Sequence, residues 1–374
     1  MATINDKENE VVRVRGELTN TKRRLTEGKL TIGYIGGSIT DGRSGHNWPE
    51  PVTRWVVANY PNTRIVVENA GIGATGSDLA AFRAKRDLID RGCDLVFVEF
   101  AVNDNGAPTE RRNKTREGLL RQLLSSGTTD VVLVYTYCQD MYASMKEGRM
   151  PPSIAEFEAL AEYYGLSSVW MGLHALNEVK AGFLRWEEWL PDGLHPTERG
   201  SLSYGVSVID FLRRALSDDL ADAERVSRSR PGALPEPLAP GNWERVAFVP
   251  LEDVRTEGPW SIRRWVTLAW IDQALSTSAI GSKLYFSFEG RGLALAFDFG
   301  KLSAECRYRI DGGAWQATAR ERPDWCGPHG WLKLETLADD LPQGRHEVEI
   351  EVIHGNKPDC AGTRFDLAFI GVIK

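Results

Sequence analysis

Residues 30–40 read Leu30-Thr31-Ile32-Gly33-Tyr34-Ile35-Gly36-Gly37-Ser38-Ile39-Thr40. The first six form an apolar run that is typical of a buried strand, and two glycines then precede a serine. Because glycine lets the backbone turn sharply, the pattern predicts a tight turn that holds Ser38 out at the end of the strand. A serine in that position is a candidate for chemistry at the edge of a sheet.

Strand-like and helix-like patterns alternate from Leu30 to Leu216. Further strands are predicted at residues 64–69, 94–100 and 130–135, and helices at residues 51–59, 78–91, 112–124 and 197–216. Near-continuous apolar strands separated by amphipathic helices predict a parallel sheet that is covered on both faces. We therefore expect a three-layer α/β/α domain over residues 30–216, after an N-terminal segment of residues 1–29, with ligands at the carboxyl ends of the strands.

The composition changes after Leu216. Residues 217–242 are rich in proline and lack apolar periodicity, which is typical of a semi-rigid linker. From residue 243 to residue 374 short alternating runs predominate, and Asp311-Gly312-Gly313 is a hairpin signal. The sequence therefore predicts a second domain, a C-terminal all-β sandwich.

Length and charge restrict the class of protein. A chain of 374 residues exceeds what one hydrophobic core usually organises, which also favours two domains. The formal net charge of −7 disfavours nucleic acid as a partner. No segment reaches membrane-spanning length and residues 1–7 show no secretion signal, so we expect a cytoplasmic protein without a membrane partner. The sequence is compatible with a homo-oligomer.

The five cysteines show no spacing typical of a metal site. We expect free or buried thiols, with a Cys326–Cys360 disulfide across the sandwich as the less favoured alternative. His174, His329, His346 and His354 also lack ligand-like spacing, so no metal is expected.

A second motif, Asp192-Gly193-Leu194-His195-Pro196, precedes the last predicted helix of the α/β pattern. A serine hydroxyl is a poor nucleophile until a base takes its proton, and an imidazole, which ordinarily titrates near about 6.5, is suited to that task. Asp192 would orient the His195 ring and stabilise the imidazolium. Ser38, Asp192 and His195 therefore form a candidate catalytic triad.

Two further segments close the second and third strands of the pattern. Residues 69–76 read Asn-Ala-Gly-Ile-Gly-Ala-Thr-Gly, and residues 100–104 read Phe-Ala-Val-Asn-Asp. Glycine-rich backbone can point N–H groups at a developing oxyanion, and the Asn103 amide can add another donor. Both segments are predicted at the same sheet edge as Ser38.

Taken in order, these four blocks resemble those of the SGNH, or GDSL-type, hydrolase superfamily, over residues 30–216. The resemblance implies that Ser38 is the nucleophile and that Asp192 and His195 are its acid and base partners. It also implies an oxyanion hole formed by the Asn103 side chain and by the backbone N–H groups of Ser38 and Gly73.

The sequence departs from the superfamily pattern at three positions. Gly37 replaces the usual aspartate of the first block, and Ala101 replaces the usual glycine of the third. In the second block, the spacing from Asn69 would allow Ala74 rather than Gly73 to supply the backbone donor.

The resemblance implies two-step acyl transfer through an acyl-enzyme, with no cofactor. An SGNH-like domain joined to a β-sandwich resembles the arrangement of carbohydrate acetylesterases. Trp48, Trp186 and Trp189 lie near the motifs in sequence, where their rings could stack on sugars or simply fill the core. We expect a serine esterase that acts on short acyl esters, above all acetyl esters, of sugars or oligosaccharides.

Two other classes of function compete with the esterase. Residues 71–76 also match the G-x-G-x-x-G fingerprint of a dinucleotide-dependent oxidoreductase, although the acidic residue that the fingerprint expects is poorly placed. Alternatively, the protein is a non-catalytic carbohydrate-binding protein whose β-sandwich does the binding. The presence of Ser38, Asn103 and His195 favours the enzyme.

Overall fold

The computed structural model describes residues 10–42, 45–217, 234–265, 271–326, 330–355 and 360–374. The chain folds as two compact units, Met1–Glu244 and Arg245–Lys374. Residues 218–233 of the predicted linker lie outside the described residues.

The first unit is an α/β domain. Its described strands are β1 (Val12–Arg13), β2 (Lys29–Gly36), β3 (Arg64–Gly71), β4 (Leu95–Glu99), β5 (Asp130–Val134) and β6 (Ser167–Val169). Its described helices are α1 (Thr19–Thr26), α2 (Pro49–Asn59), α3 (Ser77–Ala84), α4 (Thr109–Leu124), α5 (Tyr142–Lys146), α6 (Pro152–Tyr163), α7 (Met171–Lys180), α8 (Trp186–Trp189) and α9 (Glu198–Ala215).

The strands form one sheet in the order β1-β6-β5-β4-β2-β3. All neighbours are parallel except β1, which runs antiparallel to β6. β4 and β5 are buried throughout, as expected of strands covered on both faces. Helices α2, α7 and α9 pack together, as do α3, α4 and α6, so the predicted three-layer architecture is confirmed.

The strand order reverses at β2. From β2 the chain passes to β3 on one side and then crosses to β4 on the other. In sheets of this kind the crevice at such a reversal, outside the carboxyl ends of the strands, is where ligands bind. The loops that follow β2 and β4 contain Ser38 and Asn103, respectively.

The ends of the predicted α/β segment extend further than the sequence pattern indicated. β1 and α1, which lie within the predicted N-terminal segment, belong to the first unit. At the other end, residues 234–242 of the predicted linker pack on α4, where the Glu117 carboxylate accepts the backbone N–H groups of Leu238 (2.7 Å) and Ala239 (2.5 Å). Trp243 is fully buried and its backbone N–H donates to the Lys114 carbonyl at 3.1 Å.

The second unit is all-β, as predicted. Its described strands are β7 (Val246–Val249), β8 (Arg255–Glu257), β9 (Ser261–Arg264), β10 (Gln273–Thr277), β11 (Lys283–Gly290), β12 (Gly292–Phe299), β13 (Glu305–Ile310), β14 (Gln316–Ala317), β15 (Trp331–Ala338), β16 (Gly344–Ile353) and β17 (Phe365–Ile373). They form two antiparallel sheets, β15-β12-β17-β10-β9, with β7 also paired to β17, and β14-β13-β16-β11-β8. Inward side chains of both sheets share one core, which is the arrangement of a sandwich.

The predicted hairpin at residues 311–313 joins β13 to β14. Asp311 and Gly312 there have φ of 52° and 69°, the left-handed region that such a turn requires. All five cysteines are free and buried, so the alternative Cys326–Cys360 disulfide does not form. Among the described residues, no helix combines the length and apolar character needed to cross a membrane.

The contact between α4 and Trp243 gives a test of the fold. A Cβ on Gly118 would lie 2.4 Å from the backbone carbon of Trp243 and 2.5 Å from its nitrogen. Gly→Ala inside a helix ordinarily stabilises by about 1 kcal/mol, but here the docked backbone must move. We expect Gly118→Ala to lower the free energy of unfolding of the first unit by about 1–3 kcal/mol, measured by urea denaturation.

Asn113→Ala is the matched control on the same helix. Its side chain is only partly buried, so the substitution should be neutral or slightly stabilising by helix propensity. A Gly118→Ala variant as stable as the wild type would contradict the docking of Trp243 on α4.

Candidate active site

The turn that carries Ser38 is held by the buried residue Thr40. The Thr40 N–H donates to the Gly37 carbonyl at 3.1 Å, and its own carbonyl accepts the Asn69 side-chain amide at 2.9 Å. The Trp48 indole N–H donates to the Thr40 hydroxyl at 3.1 Å. These bonds fix a tight turn directly after β2, so the two glycines and the serine lie where the sequence predicted a strand end.

Ser38, His195 and Asp192 form a continuous hydrogen-bonded chain. Ser38 Oγ lies 3.0 Å from His195 Nε2, and His195 Nδ1 lies 2.8 Å from Asp192 Oδ2. The only consistent tautomer of a neutral ring has Nδ1–H donating to Asp192 and Nε2 accepting the Ser38 proton. The structure thus brings together the three residues that the sequence predicted as a triad.

Asp192 also shapes the loop on which His195 lies. Its second oxygen, Oδ1, accepts the backbone N–H groups of Leu194 (2.9 Å) and His195 (2.7 Å). Partial burial alone would raise the pKa of the Asp192 carboxyl, but the hydrogen bonds from the His195 ring and from the two backbone groups outweigh it, and the pKa lies below its ordinary value. Asp192 is therefore an ionised partner for the imidazole at neutral pH.

Asn103 lies against Gly37, beside Ser38. A Cβ built on Gly37 would be 1.9 Å from Asn103 Oδ1 and 2.9 Å from Nδ2. The Asn103 amide therefore occupies the space that any side chain at position 37 would need. Glycine in place of the superfamily's aspartate is what allows Asn103 to approach the Ser38 turn this closely.

The second block packs against the same turn. A Cβ on Gly71 would lie 2.6 Å from the Asp41 nitrogen, so this glycine is required by close backbone approach. Gly73 is buried, whereas Ala74 is exposed and adopts φ of 58°, in the left-handed region that an alanine occupies at a cost of about 1 kcal/mol. Residues 73 and 74, the two candidates for the backbone donor, therefore lie in one strained turn that directly follows the glycine packed against the Ser38 turn.

The last glycine of the block makes room for Asp104. A Cβ on Gly76 would lie 2.5 Å from Asp104 Oδ1, and that oxygen accepts the Ser77 N–H at the start of α3 at 2.9 Å. In the dinucleotide fingerprint this helix start would receive the pyrophosphate. Here the Asp104 carboxylate takes that position. The glycines at 71 and 76 are therefore explained by their close contacts with Asp41 and Asp104.

Sequence reasoning missed Glu99, the last residue of β4. It is fully buried and accepts hydrogen bonds from the Thr136 hydroxyl (2.7 Å), the Thr40 hydroxyl (3.2 Å) and the Gly37 N–H (3.4 Å). Burial raises the pKa of Glu99, and these three bonds only partly offset the effect. An acid within the apolar run of residues 95–100 was the signal that could have identified it.

The three tryptophans near the motifs have different environments. Trp48 and Trp189 are completely buried and fill the core. Trp186 is partly exposed and contacts Tyr142 edge to face, with ring centroids 5.9 Å apart. Of the three, Trp186 is the one whose ring is accessible to a ligand.

The part of the chain that the structure describes contains no cluster of three or more His, Cys, Asp or Glu side chains arranged to hold a metal ion.

Comparisons with known proteins agree with this architecture. Residues 34–202 match the GDSL-like Lipase/Acylhydrolase family. A structure of a two-domain esterase (CEX) active on acetylated mannans has 26% identity and a TM-score of 0.80, covering 98% of each chain. The same esterase co-crystallised with mannopentaose has 24% identity and a TM-score of 0.80, covering 99% of this chain and 98% of that one.

The structure of an acetylxylan esterase, Axe2 from Geobacillus stearothermophilus, has 21% identity and a TM-score of 0.39. The alignment covers 51% of this chain and 95% of the Axe2 chain. No curated protein matches the chain in sequence. The family match lies within the predicted hydrolase domain, and the predicted order of an α/β domain followed by an all-β domain is confirmed. The same comparisons bear out the prediction of an esterase.

The contact between Gly37 and Asn103 predicts the effect of a single methyl group. In Gly37→Ala the new Cβ must displace the Asn103 amide, which is the end of a movable side chain, so the fold should survive. If the Asn103 amide is the oxyanion donor that the sequence predicts, kcat for ester hydrolysis should fall by about 10²-fold, because a donor displaced by about 1 Å no longer reaches the developing oxyanion. Steady-state kinetics and the melting temperature would be measured together.

Gly106→Ala is the control in the loop that also carries Asn103. No atom lies within 4 Å of a Cβ at position 106, so this variant should keep the wild-type kcat. Equal kcat values for Gly37→Ala and the wild type would contradict a role for the Asn103 position.

The carboxyl of Asp78 makes stability near the site depend on pH. Burial raises its pKa to about 6, and the charge of Asp104 adds to the effect. Because the folded state holds this proton more tightly than the unfolded state, the contribution to stability is present below about pH 4 and is lost as the pH rises through about 6. We expect Asp78→Asn to raise the free energy of unfolding by about 1–2 kcal/mol near pH 7.5 and by about zero near pH 4.

The comparison is between variant and wild type in urea denaturation at each pH, so that other titrating groups cancel. A difference that stays constant between the two pH values would show that the Asp78 carboxyl does not titrate in this range.

Proposed function

We propose that the protein is a serine esterase that removes acetyl groups from the hydroxyls of sugars, through an acetyl-enzyme on Ser38. The observation that carries the proposal is the hydrogen-bonded chain from Ser38 through His195 to Asp192 at the reversal of the strand order. Resemblance to the GDSL-like family over residues 34–202 supports the same chemistry.

In the first step His195 Nε2 takes the proton of Ser38 while Ser38 Oγ attacks the carbonyl carbon of the ester. The imidazolium that forms is stabilised by the Asp192 carboxylate, whose lowered pKa keeps it charged. The carbonyl oxygen becomes an oxyanion. Asn103 Nδ2 and the backbone N–H groups of Ser38 and Gly73 are our proposed donors to that oxygen.

Collapse of the tetrahedral intermediate breaks the bond to the sugar oxygen, which leaves with the proton held by His195. Water then attacks the acetyl-enzyme with His195 again as base, and the acetate and the free serine are released. Each half-reaction returns the imidazole to its neutral form, so one ring serves as base and then as acid.

The openness of the site favours a large alcohol group in the substrate. The side chains of His195 and Asp192 are 49% and 52% exposed, so the side of the triad from which the alcohol leaves faces solvent. The partly exposed Trp186 lies four residues before the loop that begins at Leu190, and an indole face suits stacking on a sugar ring. The esterase whose structure is 26% identical over 98% of the chain acts on acetylated mannans, and we propose acetylated manno-oligosaccharides as the first substrates to test.

Replacement of the nucleophile tests this function. We expect the wild type to release acetate from acetylated manno-oligosaccharides, measured by mass spectrometry of the sugars and by assay of free acetate. Ser38→Ala should lower kcat/KM by at least about 10³-fold, because no other group can form the acetyl-enzyme.

The control is Ser125→Ala, which changes an exposed serine at the end of α4 and should leave the rate unchanged. Acetylated xylo-oligosaccharides, para-nitrophenyl acetate and a long-chain para-nitrophenyl ester define the preference for sugar and acyl group. Equal rates for Ser38→Ala and the wild type would contradict the proposal and favour a binding protein.

A further inference from the structure

Arg116 is a fully buried arginine beneath the loop that carries Asn103. Its side chain projects from α4 and is 0% exposed. The guanidinium donates to the Ser153 carbonyl (2.7 Å), the Ser153 hydroxyl (2.8 Å) and the Phe100 carbonyl (3.3 Å), and it lies 4.4 Å from the ring centroid of Phe157. Its remaining contact is an ion pair, from Nε to Asp104 Oδ2 at 2.8 Å. The group is therefore held in one orientation on every side.

Asp104 connects three parts of the site. One carboxylate oxygen accepts from Arg116 and the other accepts the Ser77 N–H. Its backbone follows Asn103 directly and its N–H donates to the Phe100 carbonyl at 3.1 Å. A single buried carboxylate thus ties α4 to the loop after β4 and to the turn of residues 71–76 that precedes α3.

The buried ion pair between Arg116 and Asp104 is expected to add little net stability to the fold. A buried ion pair gains little over apolar side chains of similar volume, because both charges lose their hydration. Asp78 lies near Asp104, at the start of α3. The charge of Asp104 adds to the rise in the pKa of Asp78, which indicates repulsion between like charges. Unfavourable electrostatics retained next to a site are more typical of functional positioning than of packing.

We propose that Asp104 and Arg116 are positioning residues for ester hydrolysis, which hold the Asn103 amide and the 71–76 turn at the distance from Ser38 that the oxyanion requires. The inference rests on the proposed function. Neither residue touches the reacting atoms. Both act through the loops that supply the donors, which lose effect if they move by about 1 Å.

The chain contains a comparable aspartate at the opposite, amino-terminal end of β4. Asp94, just before β4, accepts from Arg24 Nε at 2.8 Å and from the Thr31 N–H at 2.9 Å. It therefore makes the same two kinds of bond as Asp104 and is similarly buried, with 9% of its side chain exposed against 6%, although its partner Arg24 is 26% exposed and Arg116 is not exposed. Loss of its charge should affect stability without affecting the active site.

The experiment compares kcat, KM and melting temperature for Asp104→Asn, Arg116→Lys and Asp94→Asn, with acetylated oligosaccharide or para-nitrophenyl acetate as substrate. Asparagine keeps the volume and an acceptor for the Ser77 N–H but loses the charge that holds Arg116. We expect Asp104→Asn to lower kcat by about 10- to 100-fold and to change KM by less than about threefold. Asp94→Asn should keep kcat within about twofold.

A double variant distinguishes positioning from general destabilisation. If Asp104 acts largely through Asn103, adding Asp104→Asn to Asn103→Ala should lower kcat by less than about threefold further. Full additivity of the two effects would contradict positioning through Asn103, and an equal loss of kcat in Asp94→Asn at equal loss of melting temperature would overturn the inference. Should Asp104→Asn not fold, Arg116→Lys decides the matter, because it keeps the charge but not the fixed geometry of the guanidinium.

Whether hydrolysis by the wild type depends on Ser38 shows which of the two proposals has failed. If the wild type shows no hydrolysis that depends on Ser38, the proposed function fails and the positioning role falls with it. If hydrolysis depends on Ser38 and Asp104→Asn retains the wild-type kcat, only the positioning role is wrong.

Discussion

The candidate site in the first unit depends on the 3.0 Å contact between Ser38 Oγ and His195 Nε2. The two residues lie 157 positions apart, so no local structure can join them. The reversal of strand order at β2 exposes the serine at a crevice, and the Asp192 carboxylate holds the loop that brings the imidazole over it. Sheet, crossover helices and the last loop are all needed to make one bond between two side chains.

Close packing around that contact explains one departure from the superfamily pattern, the glycine at position 37. The superfamily's aspartate cannot occupy position 37, because the Asn103 amide already fills that space. The glycines at 71 and 76 likewise match a dinucleotide fingerprint by their spacing, although the atoms that exclude a side chain there belong to Asp41 and Asp104. A sequence motif therefore identifies the positions that require glycine. The reason for each requirement is found in the atoms that lie next to that position in the structure.

The parts of the fold that sequence analysis predicted are those with a strong local signal. The apolar runs of β2, β4 and β5 and the long periodic helix α9 are examples, as is the Asp311-Gly312 turn. β1 was missed because two residues carry no periodicity, and its strand exists only through its pairing with β6. The close approach of Ser38, His195 and Asp192 could be predicted because the types and order of these residues are characteristic. The roles of Glu99 and Arg116 could not be predicted, because they depend on contacts with other segments of the chain, although an acid within an apolar run marked Glu99 as unusual.

The site combines a rigid, buried floor with an open upper side. Glu99 beneath the Ser38 turn and Arg116 beneath the Asn103 loop are completely buried, whereas half of the His195 side chain is exposed. Polar groups in such a floor lower stability, since each must be desolvated, but they fix the direction of the donors before substrate arrives. A floor that does not reorganise suits a small acyl group whose oxyanion needs fixed partners. The open side does not restrict the size of an alcohol group there, so selectivity for the proposed sugar substrates would have to come from residues beyond Ser38, His195 and Asp192.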